Sequence, residues 1–268
     1  MLSIELVPRA LDQLLDQAEQ VVAAFPEISW LNIPDIKRLP VRSHDAAVAA
    51  VHLPLRVIPH VRARDRSLDE SVELLLRLEQ AGVPEALIIT GDRFEMDPET
   101  PHPTSLDLLR RASKELTTLR LWAGFDPYRG ELGAELDYAW AKLEAGAYGL
   151  FTQPFFDLEF AEKCLKELEG VATFLGITPV TSEKSARYWE RANRVVFPPG
   201  FEATLEGCAR LTVELLELVQ TYGQRAYLMP ITVEPLTYLR AVAACGDGER
   251  LLAGRQAPPR HDNLPIDL

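Results

Sequence analysis

The sequence has few cysteines, and none of them has the spacing of a metal site or a disulfide scaffold. The three cysteines, Cys164, Cys208 and Cys245, are far apart and odd in number. A zinc site usually needs pairs of closely spaced cysteines, and a small secreted scaffold needs several disulfides. We therefore expect no metal centre and no disulfide framework, and we expect a reducing compartment, the cytoplasm.

The chain also lacks a long apolar run and an excess of positive charge. No apolar stretch reaches the roughly 18 residues of a membrane-spanning helix, and the N-terminus begins with a strand-like segment, not a signal-peptide pattern. Lysine and arginine number 28 against 40 aspartates and glutamates, a net charge of −12. Nucleic-acid binding depends on a basic surface, so neither nucleic acid nor a membrane is expected as a partner. A homo-oligomer is compatible with the sequence.

Strand-like and helix-like segments alternate along most of the sequence. The chain is 47% hydrophobic, which is enough for a large core. Eight strands joined by single helices are parallel, and about 250 residues is a typical length for a (β/α)8 barrel. We predict an α/β protein, a single-domain (β/α)8 TIM barrel over residues 1–245, with a poorly ordered tail over residues 246–268. A doubly wound open sheet is the alternative.

The eight predicted strands are short apolar runs bounded by helix stops or turn residues. A Gly just beyond a helix ends it, as Gly82 and Gly146 are expected to do. The sixth run is expected to break at Gln153-Pro154, because proline cannot donate to a sheet. The predicted strands are Leu2–Leu6, Ile28–Ile33, Leu55–Val61, Ala86–Thr90, Leu119–Gly124, a run from Gly149, Thr173–Thr178 and Ala226–Ile231.

Polar or aromatic residues stand at the C-terminal ends of these strands. In a (β/α)8 barrel those ends meet at one mouth, where ligands bind. The set has acids, an imidazole and an amide but no nucleophile elbow, P-loop lysine or HExxH helix, so it favours proton transfer and recognition of a polar heterocycle over acyl transfer. The candidates are Glu5, Asn32, His60, Asp92, Phe125-Asp126, Gln153, Thr181 and Thr232.

Most of these candidates also have a structural interpretation. Strand alternation places Glu5 on the face opposite Ile4 and Leu6, where a buried charge is costly. His60 has the alternative of a hydrogen-bonded core histidine, and Asp92 that of a turn residue. The aromatic rings of Phe155 and Phe156 favour packing over substrate stacking. A basic triplet, Arg62, Arg64 and Arg66, is expected on one face of an extended segment, where water is favoured over phosphate as its contact.

Five segments are similar, in order and spacing, to the motifs of one family. They are Ser3-Ile-Glu-Leu-Val-Pro8, Pro59-His60, Gly82-Val83 ahead of Gly91-Asp92, Ala141-Lys-Leu-Glu-Ala-Gly146 with Phe151-Thr-Gln-Pro-Phe-Phe-Asp157, and Gly176-Ile-Thr-Pro-Val-Thr181. Together they resemble the methylenetetrahydrofolate reductases, which are flavin-bearing (β/α)8 barrels. The resemblance covers most of the chain.

The resemblance implies an oxidoreductase that reduces a 5,10-methylene-tetrahydropterin to the 5-methyl form with NADH or NADPH. It implies that Glu5 is the proton donor and that Asp92 stabilises the cationic intermediate. It implies that Asp92, Gln153 and Phe155 contact the folate substrate. The residues that it places against FAD are His60, Thr90, Gly91, Phe125, Glu135 and Lys142.

The chain departs from the family pattern at several flavin positions. Thr90-Gly91-Asp92 stands where the family has Arg-Gly-Asp, and Asn32-Ile-Pro-Asp35 replaces Thr-Tyr-Gly on the second strand. Near the eighth strand, Leu228-Met-Pro-Ile-Thr-Val233 replaces Phe-Tyr-x-Leu-Asn-Arg/Lys, whose side chains the resemblance places against the substrate's tail rather than the flavin. We therefore predict FAD that is weakly held or absent, with hydride from a nicotinamide at the same mouth. Arg62 or Arg64 is the candidate replacement for the missing cation.

Two other functions stay open at this point. The same barrel suits a different pterin-linked component of one-carbon or methyl transfer. It also suits a non-catalytic homologue that binds a folate or a protein partner.

Overall fold

Eight parallel strands close into a barrel in sequence order in the computed structural model, which describes residues 1–91 and 102–254. The last strand pairs with the first, so the predicted barrel is confirmed and the open sheet is wrong. The strands are β1 (Leu2–Glu5), β2 (Ile28–Ile33), β3 (Arg56–Arg62), β4 (Glu85–Ile89), β5 (Arg120–Phe125), β6 (Gly149–Pro154), β7 (Ala172–Ile177) and β8 (Arg225–Leu228).

Helices surround the barrel, and several begin at capping residues. Ser67 and Glu70 form a capping box at one helix start, and Thr104 and Asp107 form another, so backbone donors that have no partner within the helix are satisfied. None of the described helices is long and apolar enough to cross a membrane. The helices are α1 (Leu11–Ala24), α2 (Ser43–Ala50), α3 (Leu68–Gln80), α4 (Ser105–Ala112), α5 (Leu132–Glu144), α6 (Leu158–Glu167), α7 (Glu183–Asn193), α8 (Leu205–Thr221), α9 (Pro235–Ala243) and α10 (Gly248–Leu252).

The sixth strand ends at Pro154, at the predicted break, and contains a bulge. Its register against β7 shifts between Phe151 and Pro154. Within this shift the amide of Gly176 donates to Thr152 Oγ1 at 2.8 Å, so a side chain replaces a ladder acceptor. A bulge changes which face the following residues occupy. The strand therefore reaches Pro154, with Phe155 pointing away from the barrel axis.

The predicted tail begins with a short helix rather than with unordered chain. Residues of α10 pack on α8 and α9, and Leu251 and Leu252 are buried. The glycine and charged residues of this stretch led to a prediction of poor order. Its two leucines nevertheless anchor it by packing against the neighbouring helices. The remainder of the predicted tail, residues 255–268, lies outside the described residues.

The barrel interior is an aromatic cluster separate from the core between strands and helices. Phe151 stacks on Phe174 with ring centroids 4.3 Å apart, and Trp122 meets Phe174 edge-on at 5.1 Å. Near the N-terminal ends of the strands, Trp122 Nε1 donates to the buried carboxylate of Glu85 at 2.8 Å, and Arg56 pairs with the same carboxylate. This packed interior forms the floor beneath the C-terminal mouth.

Gly176→Ala is expected to destabilise the fold by about 2 kcal/mol, because the new methyl group overpacks the bulge. A Cβ at Gly176 would lie 2.6 Å from the carbonyl oxygen of Thr152. Urea unfolding measures the change. Gly133→Ala on α5 is the control, since nothing lies within 4 Å of a Cβ there. Equal stability of the two variants would contradict the close packing at β6 and β7.

Candidate active site at the barrel mouth

Three polar side chains from consecutive strands lie together above the aromatic floor. Glu5 on β1 pairs in register with Asn32 on β2, and His60 follows on β3. They are 8%, 0% and 7% exposed, respectively. Ile4, Leu31 and Ile33, which neighbour them along the strands, lie in the outer core. The alternation predicted for Glu5 is thus present, and the three groups face the barrel axis.

Hydrogen bonds orient the amide and the imidazole. The amide nitrogen of Asn32 donates to Ser3 Oγ at 2.5 Å, so its oxygen faces His60 Nε2 at 3.2 Å. This arrangement places the imidazole proton on Nε2. The backbone amide of His60 donates to Ser43 Oγ at 2.9 Å, and Ser43 Oγ donates to the carbonyl of Ile33 at 2.6 Å.

The carboxyl group of Glu5 is a weak acid in this environment. Burial raises its pKa from the ordinary 4.5 to about 7, although a hydrogen bond from the Tyr227 hydroxyl lowers it in part. Burial also lowers the pKa of His60 to about 4. His60 Nε2 lies 4.0 Å from Glu5 Oε2, but this contact is not an ion pair, because the imidazole is neutral above about pH 4. Near neutrality the mouth thus contains a carboxyl group that can release a proton.

Gln153 lies at the C-terminal end of β6, inside the bulge. It is half-buried, and its backbone would meet a Cβ added at Gly176. Its side-chain amide makes no hydrogen bond within the described part of the chain. An unpaired amide at a strand end offers both a donor and an acceptor to a ligand.

Arg62 occupies the position beside Gly91 and does not face water. Its guanidinium is buried, and a Cβ at Gly91 would lie 3.2 Å from its Nε. Asp65 Oδ1 pairs with that Nε at 3.2 Å, and Arg42 contacts Asp65 Oδ2 at 3.1 Å. The predicted extended basic segment is wrong, because Ala63–Asp65 forms a 3-10 turn. Arg62 therefore places a cation beside Gly91, next to position 90, where the family pattern has an arginine. Asp92 lies outside the described residues.

The two predicted ligand-contacting aromatics do not reach the mouth. Phe125 and Phe155 are 2% and 1% exposed and belong to the core between strands and helices. Phe125 follows Gly124, which faces the axis, and the β6 bulge turns Phe155 outward. Phe155 packs against Phe160 with ring centroids 5.6 Å apart. Their expected roles with flavin and substrate conflict with this placement.

The predicted flavin residues on α5 are engaged in contacts within the protein. Glu135 Oε1 accepts from Arg129 Nε at 3.0 Å. Lys142 Nζ donates to the carbonyl of Gly124 at 2.6 Å and lies 4.1 Å from the centroid of the Tyr138 ring. Burial lowers the pKa of Lys142 to about 8. As arranged, neither side chain offers a flavin an unpaired group.

The remaining predicted flavin residues, His60, Thr90 and Gly91, stay near the rim. Thr90 Oγ1 donates to Ser105 Oγ at 3.1 Å, and His60 already contacts Asn32. With Phe125 buried in the core and Glu135 and Lys142 engaged within the protein, these side chains do not fit the flavin contacts that the resemblance implies. Among the described residues, no group of three or more His, Cys, Asp or Glu is placed to hold a metal ion.

Sequence reasoning missed Tyr227, which contacts the proposed acid directly. Alternation along β8 places Tyr227 and Met229 inside the barrel, and that pattern was the available signal. Ser3 and Ser43 were also missed as members of the site, because a small hydroxyl side chain in or beside a strand carries no specific motif. Tyr227 donates to the acid, Ser3 accepts from the amide of Asn32, and Ser43 accepts from the backbone amide of His60.

The fold and the mouth define a (β/α)8 barrel with a buried carboxyl group of raised pKa at the C-terminal ends of its strands. The family model for methylenetetrahydrofolate reductase matches residues 7–214, beginning just beyond Glu5. The chain belongs to the methylenetetrahydrofolate reductase family. No curated protein matches the sequence.

Solved structures share the barrel at low sequence identity. An uncharacterized protein from Clostridium thermocellum that binds two copies of 5-methyl-5,6,7,8-tetrahydrofolic acid is 13% identical, with a TM-score of 0.63 over 90% of this chain and 93% of that one. A 2,3-dimethylmalate lyase of the PEP mutase/isocitrate lyase superfamily is 12% identical, with a TM-score of 0.57 over 98% and 85%. An oxaloacetate acetylhydrolase is 13% identical, with a TM-score of 0.57 over 93% and 81%. At these identities the likeness concerns the fold alone.

Glu5→Gln is expected to gain stability relative to the wild type as the pH rises. The folded-state pKa of Glu5, about 7, lies above the ordinary 4.5. Its contribution to stability is therefore fully present below about pH 4.5 and is lost as the pH rises through about 7. Urea unfolding at about pH 5 and about pH 8 measures the difference, with the exposed Glu19→Gln as control. A pH-independent difference for Glu5→Gln would contradict the raised pKa.

Proposed function

We propose that the protein reduces a 5,10-methylene-tetrahydropterin to its 5-methyl form with hydride from NADH or NADPH. The observation that carries this proposal is the buried carboxyl group of Glu5, with a pKa of about 7, at the mouth of a barrel of this family. A general acid works best when its pKa lies near the working pH. The folate bound by the Clostridium thermocellum protein supports the same substrate class.

Glu5 supplies the proton that opens the methylene bridge. The proton passes from the Glu5 carboxyl to N10 of the pterin substrate, the bond between N10 and the methylene carbon breaks, and N5 becomes an iminium cation. The carboxylate left on Glu5 then stabilises that cation. Because His60 is neutral above about pH 4, it places no opposing positive charge beside the intermediate. A hydride added to the methylene carbon completes the 5-methyl product.

Gln153 is the described residue best suited to hold the pterin ring. Pterin edges carry both hydrogen-bond donors and acceptors, and a carboxamide matches such a pair. The amide stands at the C-terminal end of β6 without an internal hydrogen-bond partner in the described part of the chain. Phe155 is not part of this proposal, because its ring is buried in the outer core.

A reduced nicotinamide supplies the hydride directly in this proposal, and FAD is weakly held or absent. The support is the poor fit of the α5 and β5 residues to a flavin. Arg129 and Gly124 already engage Glu135 and Lys142, and Phe125 faces the outer core. The buried guanidinium of Arg62 lies beside Gly91 and is paired with Asp65.

Glu5→Gln is expected to lower methylene-folate-dependent oxidation of NADH or NADPH by about 10²–10⁴-fold, because it removes the general acid. Affinity for the folate should stay nearly unchanged, and calorimetry measures it separately. The wild-type rate should fall as the pH rises through about 7, where Glu5 loses its proton. Glu19→Gln, an exposed match, serves as control. Wild-type turnover in Glu5→Gln would refute the role, and folate binding without turnover in the wild type would favour a non-catalytic folate-binding protein.

Gln153→Ala is expected to weaken folate binding by roughly 1–3 kcal/mol, since a buried polar group of the ligand loses its partner. Titration calorimetry with 5-methyl-tetrahydrofolate measures the change without depending on turnover. Gln13→Ala on the exposed face of α1 is the matched control. Equal affinities of the two variants would show that Gln153 does not contact the pterin.

A further inference from the structure

Tyr227 lies inside the barrel directly beneath the carboxyl group of Glu5. It pairs in register with Ser3 on the neighbouring strand, two residues before Glu5, so its long ring rises toward the mouth. The ring is 3% exposed and meets Phe151 edge-on, with centroids 5.1 Å apart and planes at 86°. The aromatic floor therefore fixes the direction of the phenol.

We propose that Tyr227 is the positioning residue for the acid: its hydroxyl holds Glu5 Oε2, and this leaves Oε1 to carry the proton that the substrate receives. The proposal rests on the proposed reductase function for its catalytic meaning, but the contact itself does not. The phenol donates to Oε2, and His60 Nε2 lies 4.0 Å from the same oxygen. No side chain of the described part of the chain donates to Oε1.

Tyr227 has two effects on the proton transfer. First, the hydrogen bond from Tyr227 to Oε2 restricts the Glu5 carboxyl group to one rotamer. Oε1 then faces the mouth in the orientation that the proton transfer needs. When Oε1 gives its proton to N10 and the bond from N10 to carbon breaks, the negative charge left on Glu5 is met by the phenol proton, which stays on Tyr227. Tyr227 remains a phenol throughout, because burial and the adjacent Glu5 raise its pKa well above its usual range.

Few titratable groups contact this carboxyl group in the described part of the chain. Tyr227 approaches from β8 and His60 from β3, while the neighbouring Asn32 on β2 is uncharged. His60 is neutral near pH 7 and therefore has little effect on the pKa of Glu5. Among the described groups in contact with Glu5, removal of the Tyr227 hydroxyl should therefore change that pKa most. Removal of a donor to a carboxylate makes the carboxyl a weaker acid.

Tyr227→Phe tests the proposal, with Tyr238→Phe as the matched control. Tyr238 is also fully buried, and its hydroxyl contacts Thr212 Oγ1 at 2.7 Å, away from the mouth. Infrared difference spectra with and without Glu5→Gln, recorded in each background, follow protonation of the Glu5 carboxyl without any substrate. We expect the midpoint in Tyr227→Phe to rise by about one pH unit or more, and that in Tyr238→Phe to stay unchanged.

The pH dependence of the reductase rate is the second measurement. In Tyr227→Phe the alkaline limb of the rate should move to higher pH while the plateau falls about tenfold or more, because a weaker acid transfers its proton more slowly. An unchanged infrared midpoint overturns the proposal, whatever the activity. A raised midpoint in a protein without reductase activity upholds the contact and refutes the proposed function alone. If Tyr227→Phe fails to fold, 3-fluorotyrosine incorporated in the wild type should lower the midpoint, and no movement overturns the proposal.

Discussion

Burial of the Glu5 carboxyl above an aromatic floor is the constraint on which the rest of the site depends. Phe151, Phe174 and Tyr227 fill the barrel axis and leave little solvation for a charge at the mouth. A carboxylate in that position lacks a cationic partner among the described residues in contact with it, so the protonated form is favoured. The packing that stabilises the barrel interior thereby also sets the acidity of the group above it.

The neighbours of Glu5 are uncharged near neutral pH, so they leave its pKa raised. A protonated His60 would form an ion pair with Glu5 and lower its pKa, but burial keeps the imidazole neutral. Asn32 accepts from the imidazole and donates to Ser3, so both ends of its amide make hydrogen bonds and it adds no charge. Near neutral pH, Glu5 is therefore the member of this group of three whose charge changes, while Asn32 and His60 stay neutral.

The barrel and the inward face of Glu5 were predictable because both follow from period-two alternation and from strands joined by helices. Ile28–Ile33 was predicted with the bounds that the structure has, and the other strands differ by a few residues. The family was predictable from five motifs in register, although the match begins only after Glu5. Such local patterns are visible in the sequence itself, whereas individual side-chain contacts are not.

Side-chain directions after irregular backbone were not predictable. The bulge near Thr152 turns Phe155 outward, and no residue pattern signals where a strand gains that extra residue. The roles carried over for Glu135 and Lys142 depended on a ligand, whereas the chain uses both groups for its own contacts. Tyr227 was missed because its contact with Glu5 joins residues 222 positions apart.

Deuterium transfer from the nicotinamide to the folate distinguishes a direct hydride route from one through FAD. The dialysed protein is incubated with 5,10-methylene-tetrahydrofolate and with NADH or NADPH deuterated at the transferable C4 position. The mass of the folate product is then measured by mass spectrometry. We expect a 5-methyl product that carries one deuterium without added flavin. A methyl product formed solely with added FAD would contradict the direct hydride route. No methyl product with either nicotinamide, with or without FAD, would contradict the reductase function itself.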